Sequence, residues 1–344
     1  MDKGAEQKGR TQLSPIFQDG AVLQHGRPVT LFGTGEEPVR VTLLGKTYEA
    51  RTEAGRFTVT LPPMPAGGPH ELTVTLGERV QVLRDILFGE VVLLAGQSNA
   101  ELPMRETDTA PEDYRTDGRV RVYFAAQDFG EGFRFPTPID DRWVSPCEQL
   151  TPAIPALAYH LGLGIAEERD IPVGIVCVVR GASVIQSFMP ASAQAHLVFS
   201  PEELSGAHPC NTTVARYRCY NTPGVICHRM LEPLLPYTVS RVVWYQGESN
   251  TGRGESEAYD RLLAAMIAHW RQVLQCETLP FVIVKIHVHS DSPGWLAVQR
   301  AQERAARDIP HCTLVSLDSL GFDANIHPRD KAAVAARILP ALQP

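Results

Sequence analysis

A serine that could act as a nucleophile lies directly after an apolar stretch of the chain. Residues 91–95 are all apolar, and Gly96-Gln97-Ser98-Asn99 follows them. The apolar run is typical of a buried strand, the glycine permits a sharp turn, and a helix that follows would stabilise negative charge at its N-terminus. Because these residue types are also common in ordinary turns, the interpretation depends on whether the chain supplies partners for Ser98.

Three further segments carry polar groups where an element ends or begins. They are Arg180-Gly181-Ala182-Ser183 after the apolar run 175–179, Gln246-Gly247-Glu248-Ser249-Asn250 after the run 242–245, and Asn325-Ile326-His327-Pro328 near the C-terminus. Functional groups of open α/β sheets collect at such boundaries, and Pro328 suits the first turn of a helix. We therefore expect the serine, the glycine, the amides and the histidine to meet at one edge of a sheet.

These segments resemble the SGNH hydrolase superfamily and, within it, the sialate O-acetylesterase group. The resemblance extends from about Leu13 to the C-terminus, and Trp244-Tyr245-Gln246-Gly247-Glu248-Ser249-Asn250 is its most specific part. The other matching segments are 17–20, 22–24, 89–99, 173–181, 231–237 and Ile326-His327-Pro328 with Lys331.

The resemblance implies ester hydrolysis through an acyl-enzyme. Ser98 would be the nucleophile and His327 the base that takes its proton and returns it to the leaving sugar oxygen. The oxyanion would be held by the N–H groups of Ser98 and Gly181 and by the side-chain amide of Gln246, which lies closer to its strand end than Asn250. One such donor is worth about 3–4 kcal/mol of barrier.

The position of the acid that would orient His327 departs from the family pattern. Relatives usually place an aspartate two or three residues before the histidine, where this chain has Asn325 and Ala324, and Asp323 lies four residues before. Glu248 is the first choice, because in related carbohydrate acetylesterases the glutamate of Gln-Gly-Glu can act beside or instead of that aspartate. Asp323 and Asp318 are the other candidates, and Glu248 could instead be structural. Without any acid, the pair would work as a weaker dyad.

The expected substrate contacts come from the same segments and from one further histidine. The residues are Gln97, Asn99, Arg180, His228 and Asn250. Arg180 could pair with a substrate carboxylate or be a solvated surface residue. Two more departures from the family pattern could reshape the pocket. Relatives usually carry Gly-Gly-Thr and then tryptophan in the second segment, and methionine after the nucleophile motif. Here those positions hold Arg180-Gly181-Ala182, Phe188 and Ala100.

Hydrophobic periodicity divides the chain near Asp85. Before it, apolar residues alternate with polar ones, as in 39–43, 57–61 and 72–76, which predicts short antiparallel strands of a small β-sandwich domain over residues 1–85. After it, strand-like runs alternate with helical patterns. This predicts a three-layer α/β/α, flavodoxin-like SGNH hydrolase domain with a parallel sheet over residues 86–344. We expect the β domain to support the catalytic domain, with carbohydrate binding as the alternative.

Composition excludes several classes of function. The 344 residues are 44% hydrophobic and 21% charged, with a net charge of -7, which argues against a nucleic-acid surface. No apolar stretch approaches the length of a membrane span, and residues 1–11 lack the apolar core of a secretory signal, so a cytoplasmic location is expected unless a leader was removed. Seven scattered cysteines favour reduced thiols. The proposed chemistry needs no metal or other cofactor.

The sequence leaves several functions open. The first expectation is a sialate O-acetylesterase that acts on a small-molecule or oligosaccharide acetyl ester. The alternatives are an acetylesterase for plant polysaccharide such as xylan, an inactive relative that binds acetylated sugar, and a structural protein that binds a partner. Segments 106–141 and 189–222 are long and irregular, and we expect them to form the substrate walls. The sequence does not predict the oligomeric state.

Overall fold

The computed structural model describes residues 10–130, 132–197, 215–252, 254–287, 289–320 and 325–343. Within these ranges, no helix is both long enough and apolar enough to cross a membrane. Part of the segment 189–222, which was expected to form a substrate wall, lies outside the described residues. Asp323 also lies outside them.

The N-terminal part is built from short strands. They are β1 Gln12–Leu13, β2 Val22–Gln24, β3 Val29–Thr34, β4 Val39–Leu43, β5 Lys46–Glu49, β6 Arg51–Glu53, β7 Arg56–Leu61 and β8 Gly67–Leu76. β1, β3, β7 and β6 form an antiparallel sheet in that order, and β4 pairs with β5 and β8. The apolar residues that alternate along β4, β7 and β8 are buried in one core, which agrees with the strands expected from the sequence.

A single long strand joins this part to the rest of the molecule. Strand β9, Arg79–Gly96, pairs first with β8 and β2 and then, near its C-terminal end, with two strands from later in the chain. Asp85 lies within it, with a φ of 55°. The change of periodicity near residue 85 therefore falls inside a continuous strand, and the apolar residues on both sides of it belong to one core.

Within the described part of the chain, the remaining strands complete a sheet of eleven strands. They are β10 Val120–Phe124, β11 Trp143–Val144, β12 Val173–Val179, β13 Arg241–Tyr245, β14 Phe281–Val284 and β15 Cys312–Val315. The order of β9 and these strands across the sheet is β11-β10-β12-β9-β13-β14-β15. Neighbours from β10 to β15 are parallel, but β11 pairs antiparallel with β10. The expected α/β fold is thus confirmed, but the expected parallel sheet is corrected to a mixed sheet, because β11 and the N-terminal strands β4, β5 and β8 pair antiparallel.

Helices cover both faces of this sheet. They are α1 Ser98–Glu101, α2 Ala156–Arg169, α3 Ala191–Gln194, α4 Ala215–Asn221, α5 Glu255–Val273, α6 Pro293–Asp308 and α7 Lys331–Ile338. α2 and α7 pack with Val92 and Leu94 of β9, whereas α5 and α6 pack in the core that contains Val91, Leu93 and Ala95. Successive residues of a strand point to opposite faces, so this division follows from the alternation along one buried strand. The apolar spacing in α5 and α6 agrees with the helices expected from the sequence.

Short 3₁₀ turns and one π-helical turn connect these elements. The 3₁₀ turns are Met104–Glu106, Pro111–Asp113, Thr151–Ala153, Ile185–Phe188, Glu232–Leu234, Glu248–Asn250, Asp318–Leu320 and Leu339–Leu342, and the π-helical turn is Cys227–Leu231. The turn Glu248–Asn250 directly follows β13, so that polar segment leaves the sheet at the edge where β9 ends.

Candidate active site

Three of the polar segments begin at neighbouring strand ends. Gly96, the last residue of β9, pairs with Val179 at the end of β12 on one side and with Tyr245 at the end of β13 on the other. Gly96 has a φ of 144°, and a Cβ there would lie 2.0 Å from the Tyr245 carbonyl oxygen. Only glycine fits that position. The expected meeting of the segments at one sheet edge is therefore confirmed by the strand register.

Ser98 and His327 are in direct contact at this edge. Ser98 Oγ lies 2.8 Å from His327 Nε2, and the hydroxyl donates when that nitrogen carries no proton. Ser98 is the first residue of α1, where backbone N–H groups have no partner within the helix. A half-buried hydroxyl that donates to a neutral imidazole has the geometry of a serine nucleophile and its base.

The backbone on either side of His327 is held by side chains from other segments. Asn99 Nδ2 donates to the Ile326 carbonyl oxygen at 2.9 Å, and His287 Nε2 lies 3.0 Å from the carbonyl oxygen of Asn325. The Asn325 side chain accepts from the His327 N–H at 3.0 Å. These contacts fix the segment that carries the imidazole, and the first of them ties it to the residue that follows Ser98.

Asn99 also joins two buried groups of opposite charge. Lys331 Nζ donates to Asn99 Oδ1 at 2.7 Å, and Asn99 Nδ2 donates to Glu248 Oε1 at 2.6 Å. Asn99 and Lys331 are fully buried, and Glu248 is nearly so. Asn99 was expected to contact substrate, and this is corrected: its amide is used within the protein, because a buried amide must be hydrogen-bonded.

The charges around His327 favour its neutral form. Burial is the main cause that lowers the pKa of His327, and the Lys331 ammonium lowers it further. Burial also lowers the pKa of Lys331 to about 7, although the nearby Glu248 opposes this change. A lowered pKa leaves the imidazole free to accept a proton near neutral pH, as a general base requires.

The structure does not bring Glu248 to His327. Its Oε1 accepts from Asn99, and its Oε2 is buried without a hydrogen-bond partner among the described residues. Burial raises the pKa of this carboxyl, and the hydrogen bond from Asn99 opposes the change. The expectation that Glu248 orients the imidazole is therefore corrected: its described hydrogen bond comes from Asn99, and its described contacts do not include the imidazole.

The other acid candidates have different positions. Asp323 lies outside the described residues. Asp318 accepts from Lys285 Nζ at 2.6 Å. Burial raises the pKa of Asp318, but the bond with Lys285 lowers it, and the net result is a lowered pKa. Its described partners do not include the imidazole of His327.

Gly181 lies beside Ser98, but its N–H is occupied. The Gly181 N–H donates to Glu101 Oε2 at 2.5 Å. A Cβ added at Gly181 would lie 3.6 Å from the Ser98 Cβ, which shows how closely the two segments approach. Glu101 is the last residue of α1, three residues after Ser98, so both side chains leave the same face of that short helix.

Arg180 is paired within the protein and is only 9% exposed. Its Nη1 donates to Gln127 Oε1 at 2.7 Å and lies 3.5 Å from Glu101 Oε1. Its guanidinium lies 3.8 Å from the ring centroid of Phe135 and 4.6 Å from that of Tyr220. The expectation that Arg180 is available to a substrate carboxylate is corrected, because Glu101 already supplies its counter-charge.

Gln246 lies beneath the site rather than in it. Its Nε2 donates to the Ser183 carbonyl oxygen at 2.9 Å and to Asn250 Oδ1 at 2.8 Å, and its Oε1 accepts from the Tyr259 hydroxyl at 2.8 Å. The residue is fully buried. The oxyanion role expected for its amide is therefore corrected, because both ends of the amide are bound by protein groups.

Gln97 and Asn250 belong to the same buried amide network. Gln97 Oε1 accepts from the Ser249 N–H at 3.1 Å. Asn250 Oδ1 accepts from the Ile185 N–H at 3.0 Å, and its Nδ2 donates to Gln186 Oε1 at 2.9 Å. The expected substrate contact of Asn250 is corrected, because both ends of its amide are bound by protein groups, whereas that of Gln97 stays a prediction.

His228 lies at a different surface of the molecule. Its Nδ1 is 2.8 Å from Glu232 Oε2, and its side chain is 69% exposed. It lines a cavity of about 290 Å³ together with residues of β1 and β3, and it has no described contact with Ser98 or His327. Its expected contact with substrate at this site is corrected, because it lies on the outer side of the π-helical turn.

The residues that hold the site in place were not predicted from the sequence. Gln127 follows β10 and His287 follows β14, so the strand-end argument that found Gly181 could have found both. Glu101 could have been found from its spacing of three residues from Ser98 on a helix. Lys331 was noted only as part of a motif, and its burial gave no sequence signal.

A serine and histidine in contact at the C-terminal ends of parallel strands of a mixed α/β sheet are typical of serine hydrolases. Residues 89–337 match the family described as "carbohydrate esterase, sialic acid-specific acetylesterase". Since the match covers more than half of the chain, the protein belongs to this family.

Known acetylesterases are similar to this chain in sequence and in structure. The chain is 25% identical to the sialate O-acetylesterases of Pongo abelii, over 332 residues, and of Homo sapiens, over 347 residues. These alignments cover 87% and 89% of this chain but only 62% and 65% of those proteins. A carbohydrate acetylesterase from Xanthomonas citri has a similar structure, with a TM-score of 0.80 and 26% identity over 96% of this chain and 74% of that one.

Proposed function

We propose that this protein is a carbohydrate O-acetylesterase in which Ser98 and His327 form and hydrolyse an acyl-enzyme. Ser98 Oγ attacks the acetyl carbonyl carbon while His327 Nε2 takes its proton. The C–O bond to the sugar then breaks, and the sugar oxygen receives that proton. Water attacks the acetyl-Ser98 ester in the same way, with His327 again as base, and acetate leaves.

The contact between Ser98 Oγ and His327 Nε2 is the single observation that carries this proposal. Family membership adds support, because the matched residues 89–337 contain both side chains. The lowered pKa of His327 adds further support, because a neutral imidazole can accept the proton at neutral pH. The backbone N–H groups of Ser98 and Gly181 are the proposed oxyanion donors, and the buried amide of Gln246 is no longer included.

In this proposal, hydrogen bonds to the backbone just before His327 hold the histidine in position. Asn99 and His287 hold the carbonyl oxygens of Ile326 and Asn325, so the ring has a fixed attachment even without an acid beside it. Asp323, four residues before the histidine, remains the proposed acid, and it is not essential to this account. A pair held in place by the backbone would work as a dyad, with the weaker activity that this implies.

The proposed substrate is an O-acetylated sialic acid, and acetylated plant polysaccharide is the second candidate. The first rests on the family match and on two relatives described as sialate O-acetylesterases. The second rests on the broader description of the Xanthomonas citri structure as a carbohydrate acetylesterase. The buried ion pair of Arg180 with Glu101 removes one reason to require an acidic sugar.

Acetate release from two substrates tests this function. The purified protein would be assayed with 9-O-acetyl sialic acid and with acetylated xylo-oligosaccharides, alongside its Ser98→Ala variant. We expect faster release from the sialic acid and none above background from the variant. Faster release from the xylo-oligosaccharides would overturn the substrate assignment. No release from either sugar or from p-nitrophenyl acetate would instead support an inactive sugar-binding protein.

We also propose a division of the chain by role. Residues 1–85 would form a small β-sandwich domain that supports the site, and residues 86–344 a three-layer SGNH hydrolase domain. The alternating burial in β4, β7 and β8 and the two helix-covered faces around β9 support this division.

A further inference from the structure

The carboxylate of Glu101 lies where the proposed reaction needs an acetyl oxygen. Glu101 Oε2 accepts the Gly181 N–H at 2.5 Å, and a Cβ added at Gly181 would lie 2.9 Å from this oxygen and 3.6 Å from the Ser98 Cβ. An anionic oxygen on that N–H, next to the nucleophile, takes the place of the oxyanion that forms during attack. We propose that Glu101 is a gate that closes the oxyanion site in the free protein and must move before an acyl group can react.

The other oxygen of the carboxylate is held from the protein side. Glu101 Oε1 accepts from Gln127 Nε2 at 2.5 Å and lies 3.5 Å from Arg180 Nη1. Gln127 is fixed in turn, since its Nε2 also donates to the Val179 carbonyl oxygen at 2.9 Å. Arg180 is held between the rings of Phe135 and Tyr220. The closed position is therefore built by groups that Ser98 and His327 do not use.

Opening is geometrically simple. The Glu101 side chain is 23% exposed, and it belongs to the last residue of a four-residue helix. Rotation about its side-chain bonds can release Oε2 from Gly181 while Oε1 stays beside Arg180, without any change in the sheet. A backbone N–H has one hydrogen, so it cannot serve the carboxylate and an acyl oxygen at full strength together. The apparent reactivity of Ser98 is thus reduced by the fraction of molecules in which the gate is closed.

Glu101→Gln separates the gate from the support of Arg180. The amide oxygen of the new side chain can still accept from Gln127 and Arg180, but its NH₂ group then faces the Gly181 N–H and cannot accept from it. Two donors that face each other repel, so this end of the side chain moves off the Gly181 N–H, which becomes available, while the size of the side chain is kept. Glu277→Gln is the matched control, because Glu277 is an exposed glutamate in the turn between α5 and β14, outside both segments expected to form the substrate walls.

The reaction of Ser98 with a fluorophosphonate measures gate opening directly. The Ser98 Oγ–P bond forms as the P–F bond breaks, fluoride leaves, His327 takes the serine proton, and the phosphonyl oxygen occupies the oxyanion site. We expect Glu101→Gln to be labelled about tenfold faster than the unchanged protein, since a hydrogen bond to a charged group is lost from the closed state. Glu277→Gln should be labelled at the unchanged rate. An equal or slower rate in Glu101→Gln would overturn the gate.

Two further measurements keep the gate testable if that variant fails to fold or if Ser98 is inert. Gln127→Ala loosens the hold on Glu101 without removing its charge, and it should also be labelled faster. A slower rate in this variant would contradict the gate.

The contact between Glu101 and Gly181 can also be measured without any reaction. The gate rests on the proposed function only for its effect on the reaction, because the amide proton resonance of Gly181 reports the contact in the free protein. That resonance should move upfield in Glu101→Gln, and an unmoved resonance would rule out the gate even if no ester is cleaved. Absence of labelling at Ser98 in every variant would instead count against the proposed nucleophile.

Discussion

The imidazole of His327 depends on the charge of a lysine four residues away. Lys331 is fully buried, donates to Asn99, and lowers the pKa of His327 by disfavouring the imidazolium. Because the neutral form is the proposed base, a lowered pKa of His327 would preserve the proposed activity as the pH falls toward that value. The acidic limb of the pH profile therefore reports this interaction at the scale of single residues.

Lys331→Met should move that limb to higher pH. Below the Lys331 pKa of about 7 the ammonium is charged, so its removal raises the pKa of His327 and lowers activity at mildly acid pH. The measurement is kcat/KM for p-nitrophenyl acetate as a function of pH. Arg329→Met is the control, because that arginine is exposed and pairs with Asp108. An acidic limb that stays in place, or that moves equally in both variants, would contradict the assigned charge effect.

Asn99→Ala tests how the histidine is positioned. The change removes the donor to the Ile326 carbonyl oxygen and leaves the buried Lys331 and Glu248 without their shared amide. We expect a loss of about 1–3 kcal/mol in the free energy of unfolding, from denaturant titration. We also expect kcat to fall at least about tenfold, with a smaller change in KM, because a small displacement of the imidazole slows the reaction.

Asn250→Ala is the matched control for that change. It also removes a buried amide near the site, but its partners are Ile185, Gln186 and Gln246 rather than the histidine segment. It should cost similar stability with a smaller loss of kcat. Equal losses of kcat in the two variants would mean that Asn99 acts only through general stability.

At the scale of elements, the site depends on the close approach of β9 and β13. Gly96→Ala should destabilise the protein by more than about 3 kcal/mol, because a Cβ would lie 2.0 Å from the Tyr245 carbonyl oxygen in a backbone of positive φ. Gly118→Ala is the control, since a Cβ there meets nothing within 4 Å. Thermal unfolding of the two variants gives the comparison, and a similar melting temperature for both would contradict the register described above.

Much of this element arrangement could be predicted from the sequence. Buried apolar runs before Ser98, Gly181 and Gln246 located three strands, and the rule that functional groups collect at parallel strand ends located the site. The direction of each side chain could not be predicted. Gln246 and Asn250 point into the protein because Tyr259, Ser183 and Ile185 offer partners there, and those partners come from distant parts of the chain.

At the scale of the whole molecule, the N-terminal strands share one core with residues of the elements that follow Gly96. Trp143 Nε1 donates to the Ile16 carbonyl oxygen at 2.9 Å, and the Tyr237 hydroxyl donates to that of Val22 at 2.6 Å. Phe17 packs against Tyr237, with ring centroids 5.5 Å apart. The sequence predicted a domain boundary near residue 85 from the change in periodicity. The sequence did not predict that strand β9 continues through this boundary. Because β9 is buried against different neighbours along its length, no single hydrophobic periodicity extends over the whole strand.

This continuity predicts one cooperative unfolding transition for the intact chain. Residues 86–344 expressed alone should lack a folded core, because Trp143 and Tyr237 would lose the strands that cover them. Calorimetry of the intact chain and near-ultraviolet circular dichroism of the fragment test this. Two separate transitions, or a fragment with native tertiary signals, would show that the β strands are an independent domain.

The replacement of the nucleophile tests the central claim most directly. Acetate release from p-nitrophenyl acetate and from 9-O-acetyl sialic acid would be measured for the unchanged protein and for Ser98→Ala, with thermal unfolding recorded for both. The account predicts a loss of kcat/KM of at least about a thousandfold, with an unchanged melting temperature, because the alanine removes only the hydroxyl that contacts His327. Activity in Ser98→Ala within about tenfold of the unchanged protein would contradict the account.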